Sequence, residues 1–133
     1  MSAIAICVDP QHVGKIWFRV EDFIRNAIER GGVGSNYDDI VDDVIHGNSL
    51  LWLGCDGQDI VSAGITSLVG KVCELVAYGG RREDHLLETI ENYARAEGCE
   101  RMRILGRKGW TRVLRDYRQP YVILEKELNG RHV

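Results

Sequence analysis

The residues best suited to chemistry are two glycines and two arginines between a strand-like run and an amphipathic stretch. The strand-like run covers residues 72–78, and Gly79-Gly80-Arg81-Arg82 comes directly after it. Adjacent glycines let a backbone approach a ligand closely, and guanidinium groups neutralise phosphate charge. A strand, a glycine-bearing turn and a helix, in this order, place backbone N–H groups where many nucleotide-binding proteins hold a phosphate. The sequence therefore predicts either an anion site or only the bend that starts a helix.

Two acidic residues argue against an anion at this turn. Glu83 and Asp84 stand at the start of the predicted helix, where a carboxylate already complements the positive end of the helix dipole. Each contributes roughly 0.3–1 kcal/mol, with the wrong sign for binding a second anion. The turn is also short, since no Gly-x-Gly or Gly-x-Ala follows the arginines. As a phosphate site the motif is incomplete.

Glu74 stands in the middle of the strand-like run and is the carboxylate best placed to act as a base. Strand alternation puts even-numbered residues on one face and odd-numbered residues on the other, giving Val72, Glu74 and Val76 against Cys73, Leu75 and Ala77. A single glutamate in a strand is more often solvated or paired with a cation. Both interpretations of Glu74 stay open.

Other residue types that carry chemistry lack a productive spacing. The four histidines show no metal-ligand spacing and are His12, His46, His85 and His132. No nucleophile-elbow motif surrounds the hydroxyl residues Ser62, Thr66 and Ser67. The four cysteines form no CxxC motif and are Cys7, Cys55, Cys73 and Cys99. Three of them lie in strand-like stretches, which favours buried, reduced thiols over disulfides.

The net charge of −3 is unevenly distributed along the chain. Residues 101–133 carry +6 and residues 1–100 carry −9. Such asymmetry predicts a face for an anionic partner, or an acidic and a basic half of one domain that attract each other. No apolar run approaches the roughly 20 residues of a membrane span, and the N-terminus has no signal-peptide pattern. We therefore expect a cytoplasmic protein without membrane contact.

The chain of 133 residues suits one domain, covering 1–133, in which strand and helix patterns alternate. Cap and turn residues mark the predicted boundaries: Asp9-Pro10 and Ser35 or Asn36 before helices, Gly47 and Gly98 after helices, and Asp56-Gly57 and Gly70 at hairpin turns. The predicted order is β-α-α-β-β-β-α-β-α-β, with a last strand at residues 121–128. This order predicts an α/β protein of α+β texture, with a mixed central sheet and helices on both faces.

This order of elements resembles the GNAT (acyl-CoA N-acyltransferase) fold over nearly the whole chain. The segments "LLWLGCDG", "ELVAYGG", "EGCERMRILGRKGW" and "VILEKEL" are similar to small GNAT-like proteins encoded by tailed bacteriophages. The resemblance implies one GNAT-like domain and, in active members, acetyl-CoA as the cofactor.

The resemblance also implies which residues would hold acetyl-CoA. In active members the cofactor lies in a splayed gap beside the fourth strand, whose backbone pairs with the pantetheine, and the following turn holds the pyrophosphate. Carried over to this chain, the pantetheine strand is residues 72–78 and the phosphate turn begins at Gly79. The implied cofactor-binding residues are Val76, Tyr78, Gly79, Gly80, Arg81 and Arg82.

The resemblance further implies that Glu74 is the base and Tyr117 the acid for the leaving thiolate. Many active members carry an Asn, a Tyr and then Gly-Phe after the fifth strand. Matching Asp116-Tyr117 to Gly-Phe places Gly106 at the Asn position and Arg112 at the Tyr position. Taking Tyr117 as the acid instead leaves no Gly-Phe after it. The catalytic pattern is eroded in either alignment.

Two functions follow from these observations. The first is a degenerate, non-catalytic GNAT-like protein that acts through protein–protein contacts in a phage particle or its assembly, with no cofactor. The alternative is an acetyl-CoA-dependent N-acetyltransferase with a shortened phosphate turn. Overall acidity and the lack of a nucleic-acid-binding motif argue against nucleic acid, whereas homo-oligomer formation stays open. The expected interface residues are Arg107, Lys108, Trp110 and Arg112, with Trp110 equally suited to the core.

Overall fold

The computed structural model describes residues 3–31, 36–81, 84–105 and 110–122, together with Leu124, Lys126 and Leu128. Its elements are β1 (Ala3–Cys7), α1 (Val13–Gly31), α2 (Tyr37–Ile45), β2 (Leu50–Asp56), β3 (Asp59–Val69), β4 (Val72–Gly80), α3 (Asp84–Ala96), β5 (Arg101–Ile104) and α4 (Trp110–Val113). This order agrees with the prediction from β1 through α4. A 3-10 turn at Pro10–His12 leads into α1.

The predicted last strand is not seen in the part of the chain that the structure describes. Tyr121 and Val122 belong to no strand, and Ile123, Glu125 and Glu127 lie outside the described residues. Val122 and Leu124 are 65% and 91% exposed. A strand forms when its side chains pack against a neighbour, and the described side chains of this segment lack that burial.

The five strands form one mixed sheet in the order β1-β2-β3-β4-β5. Pairing is antiparallel from β1 to β4 and parallel between β4 and β5, which α3 connects. Gly57 and Gly70 adopt φ angles of +64° and +59° at the two hairpin turns, a region that favours glycine. The prediction of two hairpins at these glycines is confirmed.

Capping residues act where the sequence predicted them. Asn36 caps α2, because its Oδ1 accepts hydrogen bonds from the N–H groups of Asp38 at 2.8 Å and Asp39 at 3.4 Å. Asp9 Oδ1 accepts from Gln11 N at 2.9 Å before α1. Ser35, the other predicted cap, lies outside the described residues.

Two apolar clusters cover the two faces of the sheet. Helices α1 and α2 pack on one face, called here the α1-side face, with the buried residues Val13, Val20, Ile24, Ile40, Val44, Leu51, Leu53, Cys55, Ala63, Ile65 and Ala77. Helix α3 packs on the other, the α3-side face, with the buried residues Trp52, Cys73, Leu75, Leu86, Ile90 and Ala94. The predicted mixed sheet with helices on both faces is confirmed.

Candidate functional site

A β-bulge interrupts β4 at Val76. Leu75 lies opposite Thr66 and Ala77 lies opposite Ile65, so Val76 is an extra residue in β4. Beyond the bulge the faces exchange, and Ala77 joins the α1-side cluster whereas Leu75 belongs to the α3-side cluster. This corrects the strict alternation that the sequence predicted for the strand.

The pairing between β4 and β5 stops where the bulge begins. The last register pair is Leu75 with Ile104, and Leu105 N donates to Leu75 O at 3.2 Å. Strand β4 continues to Gly80, paired with β3. On the other side of residues 76–80, no strand of the described residues is paired with β4. This open edge leaves backbone groups available to an extended ligand that carries amides.

Gly79 and Gly80 belong to β4 rather than to the turn that the sequence predicted. A Cβ on Gly79 would lie 2.1 Å from Phe23 O in α1, and a Cβ on Gly80 would lie 2.4 Å from Val61 O in β3. Gly80 also has a φ of +95°. Close packing of α1 therefore requires Gly79, and the approach of β3 together with a positive φ requires Gly80, independently of any phosphate.

Arg81 follows β4 at a bend and has partners on the neighbouring hairpin. Its N–H donates to Val61 O at 2.8 Å, and its Nη2 lies 3.3 Å from Asp56 Oδ2. The Arg81 and Asp56 side chains are 53% and 38% exposed, so the ion pair contributes little to stability. The other predicted arginine, Arg82, lies outside the described residues.

A buried hydroxyl lies at the same end of β4. Ser62 Oγ is fully buried and has no hydrogen-bond partner among the residues that the structure describes. Ser62 stands opposite Gly80, and it shares the α3-side face with Thr66 by strand alternation. Most buried hydroxyls form a hydrogen bond. The Ser62 hydroxyl therefore distinguishes the Gly80 end of β4 from the rest of the sheet.

Glu74 forms an ion pair with Arg103, its register partner on β5. Arg103 Nη1 donates to Glu74 Oε2 at 2.9 Å, and this hydrogen bond raises the pKa of the guanidinium. The Glu74 side chain is 18% exposed and that of Arg103 is 33% exposed. The interpretation of Glu74 as a paired residue is confirmed. The sequence analysis missed Arg103, because only the parallel register brings the two residues side by side.

Tyr117 lies elsewhere, against α3. Its hydroxyl donates to Glu91 Oε2 at 2.6 Å, and burial, followed by this hydrogen bond, raises its pKa well above the usual range. No contact between described residues links Tyr117 to Glu74, which faces the other side of the sheet. The two residues proposed as acid and base are not brought together, and the sequence analysis missed Glu91.

Tyr78 and Trp110 meet on the α3-side face. Their ring centroids lie 5.7 Å apart at an interplanar angle of 88°, an edge-to-face contact. Tyr78 packs against the α3-side cluster, and its hydroxyl donates to Arg81 O at 3.2 Å. Trp110 thus packs within the fold. Of the other predicted interface residues, Arg112 is exposed, and Arg107 and Lys108 lie outside the described residues.

The four thiols are free, and none shows the properties of a nucleophile. Cys55 and Cys73 are buried, as predicted for cysteines in strands, and Cys99 is half-buried. The same prediction is wrong for Cys7, which lies in β1 but is exposed. Burial raises the pKa of the Cys73 thiol to about 11, so it stays protonated at neutral pH. Among the described residues no group of ligands could hold a metal ion, and no helix is long and apolar enough to cross a membrane.

Comparison with known proteins supports a GNAT-like fold. No family model and no curated protein matches the chain. An aminoglycoside acetyltransferase from an uncultured soil metagenomic sample, solved with sisomicin, superposes with a TM-score of 0.68 at 9% identity, covering 95% of this chain and 96% of that one. A predicted acetyltransferase from Clostridium acetobutylicum, solved with acetyl-CoA, gives 0.66 at 11% identity, covering 99% and 100%. A GNAT family acetyltransferase from Staphylococcus aureus gives 0.62 at 14% identity, covering 96% and 100%.

At identities of 9% to 14%, these superpositions show the fold alone. The predicted GNAT-like fold is confirmed, and the neighbours are acetyltransferases. The expected similarity to phage proteins stays a prediction.

Proposed function

We propose that the protein is an acetyl-CoA-dependent N-acetyltransferase. The observation that carries the proposal is the open edge of β4 at residues 76–80, which begins where the Val76 bulge ends the pairing with β5. Among the described residues no strand pairs with the β5 side of β4 beyond Leu75, and an exposed strand edge can accept an added extended segment. The pantetheine arm carries two amides on an extended chain and is suited to such an edge. The acetyltransferases of the same fold, one of them solved with acetyl-CoA, add support.

The residues present fit this group in part. The backbone of Val76 to Gly80 would hold the pantetheine, and Arg81 would neutralise phosphate charge. Gly79 and Gly80 are already required by packing, so they are not specific indicators of a phosphate site. When bound, acetyl-CoA supplies a thioester: the amine nitrogen bonds to the carbonyl carbon, the carbon–sulfur bond breaks, and the amine proton lost is balanced by the proton the thiolate gains.

The chain's own groups have separate roles in this proposal. Glu74, on the α1-side face, attracts the ammonium form of the acceptor and lies two residues before the open edge. Arg103 holds the carboxylate in place through the 2.9 Å hydrogen bond. Tyr117 remains the candidate acid, but its hydroxyl proton is already directed at Glu91, and this bond must break before the proton can be given to sulfur.

The same contacts favour a second candidate function. Glu74 and Tyr117 are each engaged by another side chain, and the Tyr78–Trp110 contact occupies the α3-side face beside the open edge. A protein with these features could have lost catalysis and act through protein–protein contacts. The resemblance to tailed-phage proteins that the sequence segments predict would place such a component in a phage particle or its assembly.

Titration calorimetry with acetyl-CoA separates the two candidates. We expect binding in the micromolar range, weakened at least tenfold by Arg81→Glu. The matched control is Arg101→Glu, which makes the same charge change on an exposed residue at the far end of β5, opposite Val72. This variant should bind within twofold of the wild type.

Amide hydrogen exchange locates the binding on the strand. Acetyl-CoA should slow exchange at amides within residues 76–80 and leave the paired residues Val72 to Leu75 unchanged. No binding up to millimolar acetyl-CoA would overturn the proposal in favour of the second candidate. Binding without protection of residues 76–80 would show that the open edge is not the site.

A further inference from the structure

A row of polar side chains crosses the α1-side face at the level of Glu74. Ser67 is the register partner of Glu74 on β3, and Arg103 is its register partner on β5. Ser49, just before β2, extends the row, with its Oγ 2.6 Å from Ser67 Oγ. Glu74 lies between Cys73 and Leu75, which both face α3, and Arg103 lies between Met102 and Ile104, which do the same. Glu74 and Arg103 therefore point to the opposite side.

The charged end of this row is accessible. The Glu74 side chain is 18% exposed and the Arg103 side chain is 33% exposed, whereas Ser49 is buried. The Tyr121 ring, 55% exposed, lies 5.9 Å from the Arg103 guanidinium carbon. One carboxylate, one guanidinium and one aromatic ring thus border the same surface, and its two charges cancel.

This charged pair lies next to the open edge of β4, on the face where a charged acceptor can approach. Glu74 precedes Leu75, the last residue of β4 in register with β5. On the α3-side face, Leu75 is buried and Tyr78 contacts Trp110, so a charged amine would lose its hydration there without compensation. The Glu74–Arg103 pair offers that compensation on the α1-side face.

We propose that the Glu74–Arg103 pair binds the acceptor and selects a free amino acid, whose ammonium faces Glu74 and whose carboxylate faces Arg103. The inference rests on the proposed acetyltransferase function. Inserting such a zwitterion exchanges one ion pair within the protein for two with the ligand. A polycationic acceptor gains only the contact with Glu74 and meets the positive charge of Arg103. The site therefore disfavours aminoglycosides such as sisomicin, with which one structural neighbour was solved.

The test compares amino acids with amines that differ only by the carboxylate. Phenylalanine and phenethylamine form one pair, and lysine and cadaverine form another; sisomicin is the polycationic probe. Binding is measured by calorimetry on the full chain with saturating acetyl-CoA, and thiol release is followed in parallel. We expect each amino acid to bind at least tenfold tighter than its decarboxylated amine, with sisomicin weaker than lysine.

Variants of β5 test whether Arg103 is the source of this preference. Arg103→Gln should reduce the preference to below twofold without changing acetyl-CoA affinity, and Arg103→Lys should restore part of it. Arg101→Gln is the matched control on the same strand and should keep the full preference. Circular dichroism checks that each variant is folded, so that a lost preference is not lost structure.

The outcomes separate this inference from the function on which it rests. Acetyl-CoA binding with equal affinity for amino acids and their amines, or with tighter binding of sisomicin, overturns the acceptor assignment alone. A preference for amino acids that survives in Arg103→Gln overturns the role of Arg103. Absence of acetyl-CoA binding overturns the proposed function, and the acceptor assignment with it.

Discussion

The two faces of the sheet present opposite chemistry along the same strand. On the α1-side face, β4 presents Glu74, which Arg103 holds at 2.9 Å. On the α3-side face, one residue further, it presents Leu75, which is 1% exposed and buried under α3. The Val76 bulge and the open edge follow directly. One strand thus presents a half-buried ion pair on one face and a dry apolar cluster on the other.

The fold itself places a charged surface and an apolar surface on opposite faces of β4. In the proposed transfer the acceptor arrives as an ammonium and must lose a proton before its nitrogen attacks the neutral thioester, so the two reactants prefer different surroundings. The sheet presents a charged surface at Glu74 and an apolar surface at Leu75, and the open edge of β4 begins at the next residue, Val76. Variants on each face can show how much its packing and hydrogen bonds contribute to the free energy of unfolding.

The largest effect is expected where α1 meets the end of β4. Gly79→Ala would place a Cβ 2.1 Å from Phe23 O, a backbone atom that cannot move without shifting α1. We expect a loss of about 3 kcal/mol in the free energy of unfolding, measured by urea denaturation. Gly14→Ala is the control, because its Cβ meets nothing within 4 Å; helix propensity predicts a gain of up to about 1 kcal/mol.

The same variant shows whether Gly79 serves ligand binding or the packing of α1. If Gly79→Ala is as stable as the wild type but loses acetyl-CoA affinity, the residue serves a ligand and the close approach of α1 is not required. If stability falls as expected, packing of the α1-side face explains the glycine, and the phosphate interpretation of this position loses its main support.

A smaller loss of stability is expected when the hydrogen-bonded tryptophan of either face is replaced by phenylalanine, and the loss should differ between the faces. On the α3-side face, Trp52 Nε1 donates to Thr66 Oγ1 at 2.9 Å, and both residues are buried. Trp52→Phe leaves the Thr66 hydroxyl without this donor and should cost about 1–3 kcal/mol. Trp17 Nε1 donates to Tyr37 Oη at 2.9 Å at a half-buried place between α1 and α2, so Trp17→Phe should cost less.

A double-mutant cycle shows whether the hydrogen bond or the lost ring volume causes the effect at Trp52. Adding Thr66→Val to Trp52→Phe removes both polar groups and should recover part of the loss. Strictly additive single and double variants would indicate that volume alone matters. An equal cost for Trp17→Phe would show that the two faces are equally dry.

The sequence predicted the local features of the fold and missed the features that depend on register. The Asn36 cap, the hairpin glycines Gly57 and Gly70, and the helical stripes follow from neighbouring residues, and all are found. The Val76 bulge and the Glu74–Arg103 pair require knowing which residues of distant strands lie opposite one another. Glu74 was a candidate from its type and place, but its partner, 29 positions away, carries no local pattern.

The smallest effect concerns buried thiols, one on each face, and appears only in alkaline solution. Burial raises the pKa of Cys73 on the α3-side face from 9.0 to about 11, and burial also raises the pKa of Cys55 on the α1-side face. Because a raised pKa favours the neutral thiol in the folded state, the stabilisation is complete below pH 9. It is lost as the pH rises from 9 toward 11, by about 1 kcal/mol at pH 10 for Cys73.

Stability curves between pH 8 and 11 measure this loss as a slope. Tyr93 and Tyr117 also have raised pKa values and titrate in the same direction, so the informative quantity is the difference between variants. Cys73→Ala should flatten the curve between pH 9 and 11, whereas Cys55→Ala should change it less, since a nearby Arg19 charge opposes the effect of burial. If both variants change the slope of stability against pH equally, the α3-side face is not drier than the α1-side face. If Cys73→Ala flattens the slope more, the thiol on the α3-side face is the more strongly desolvated of the two.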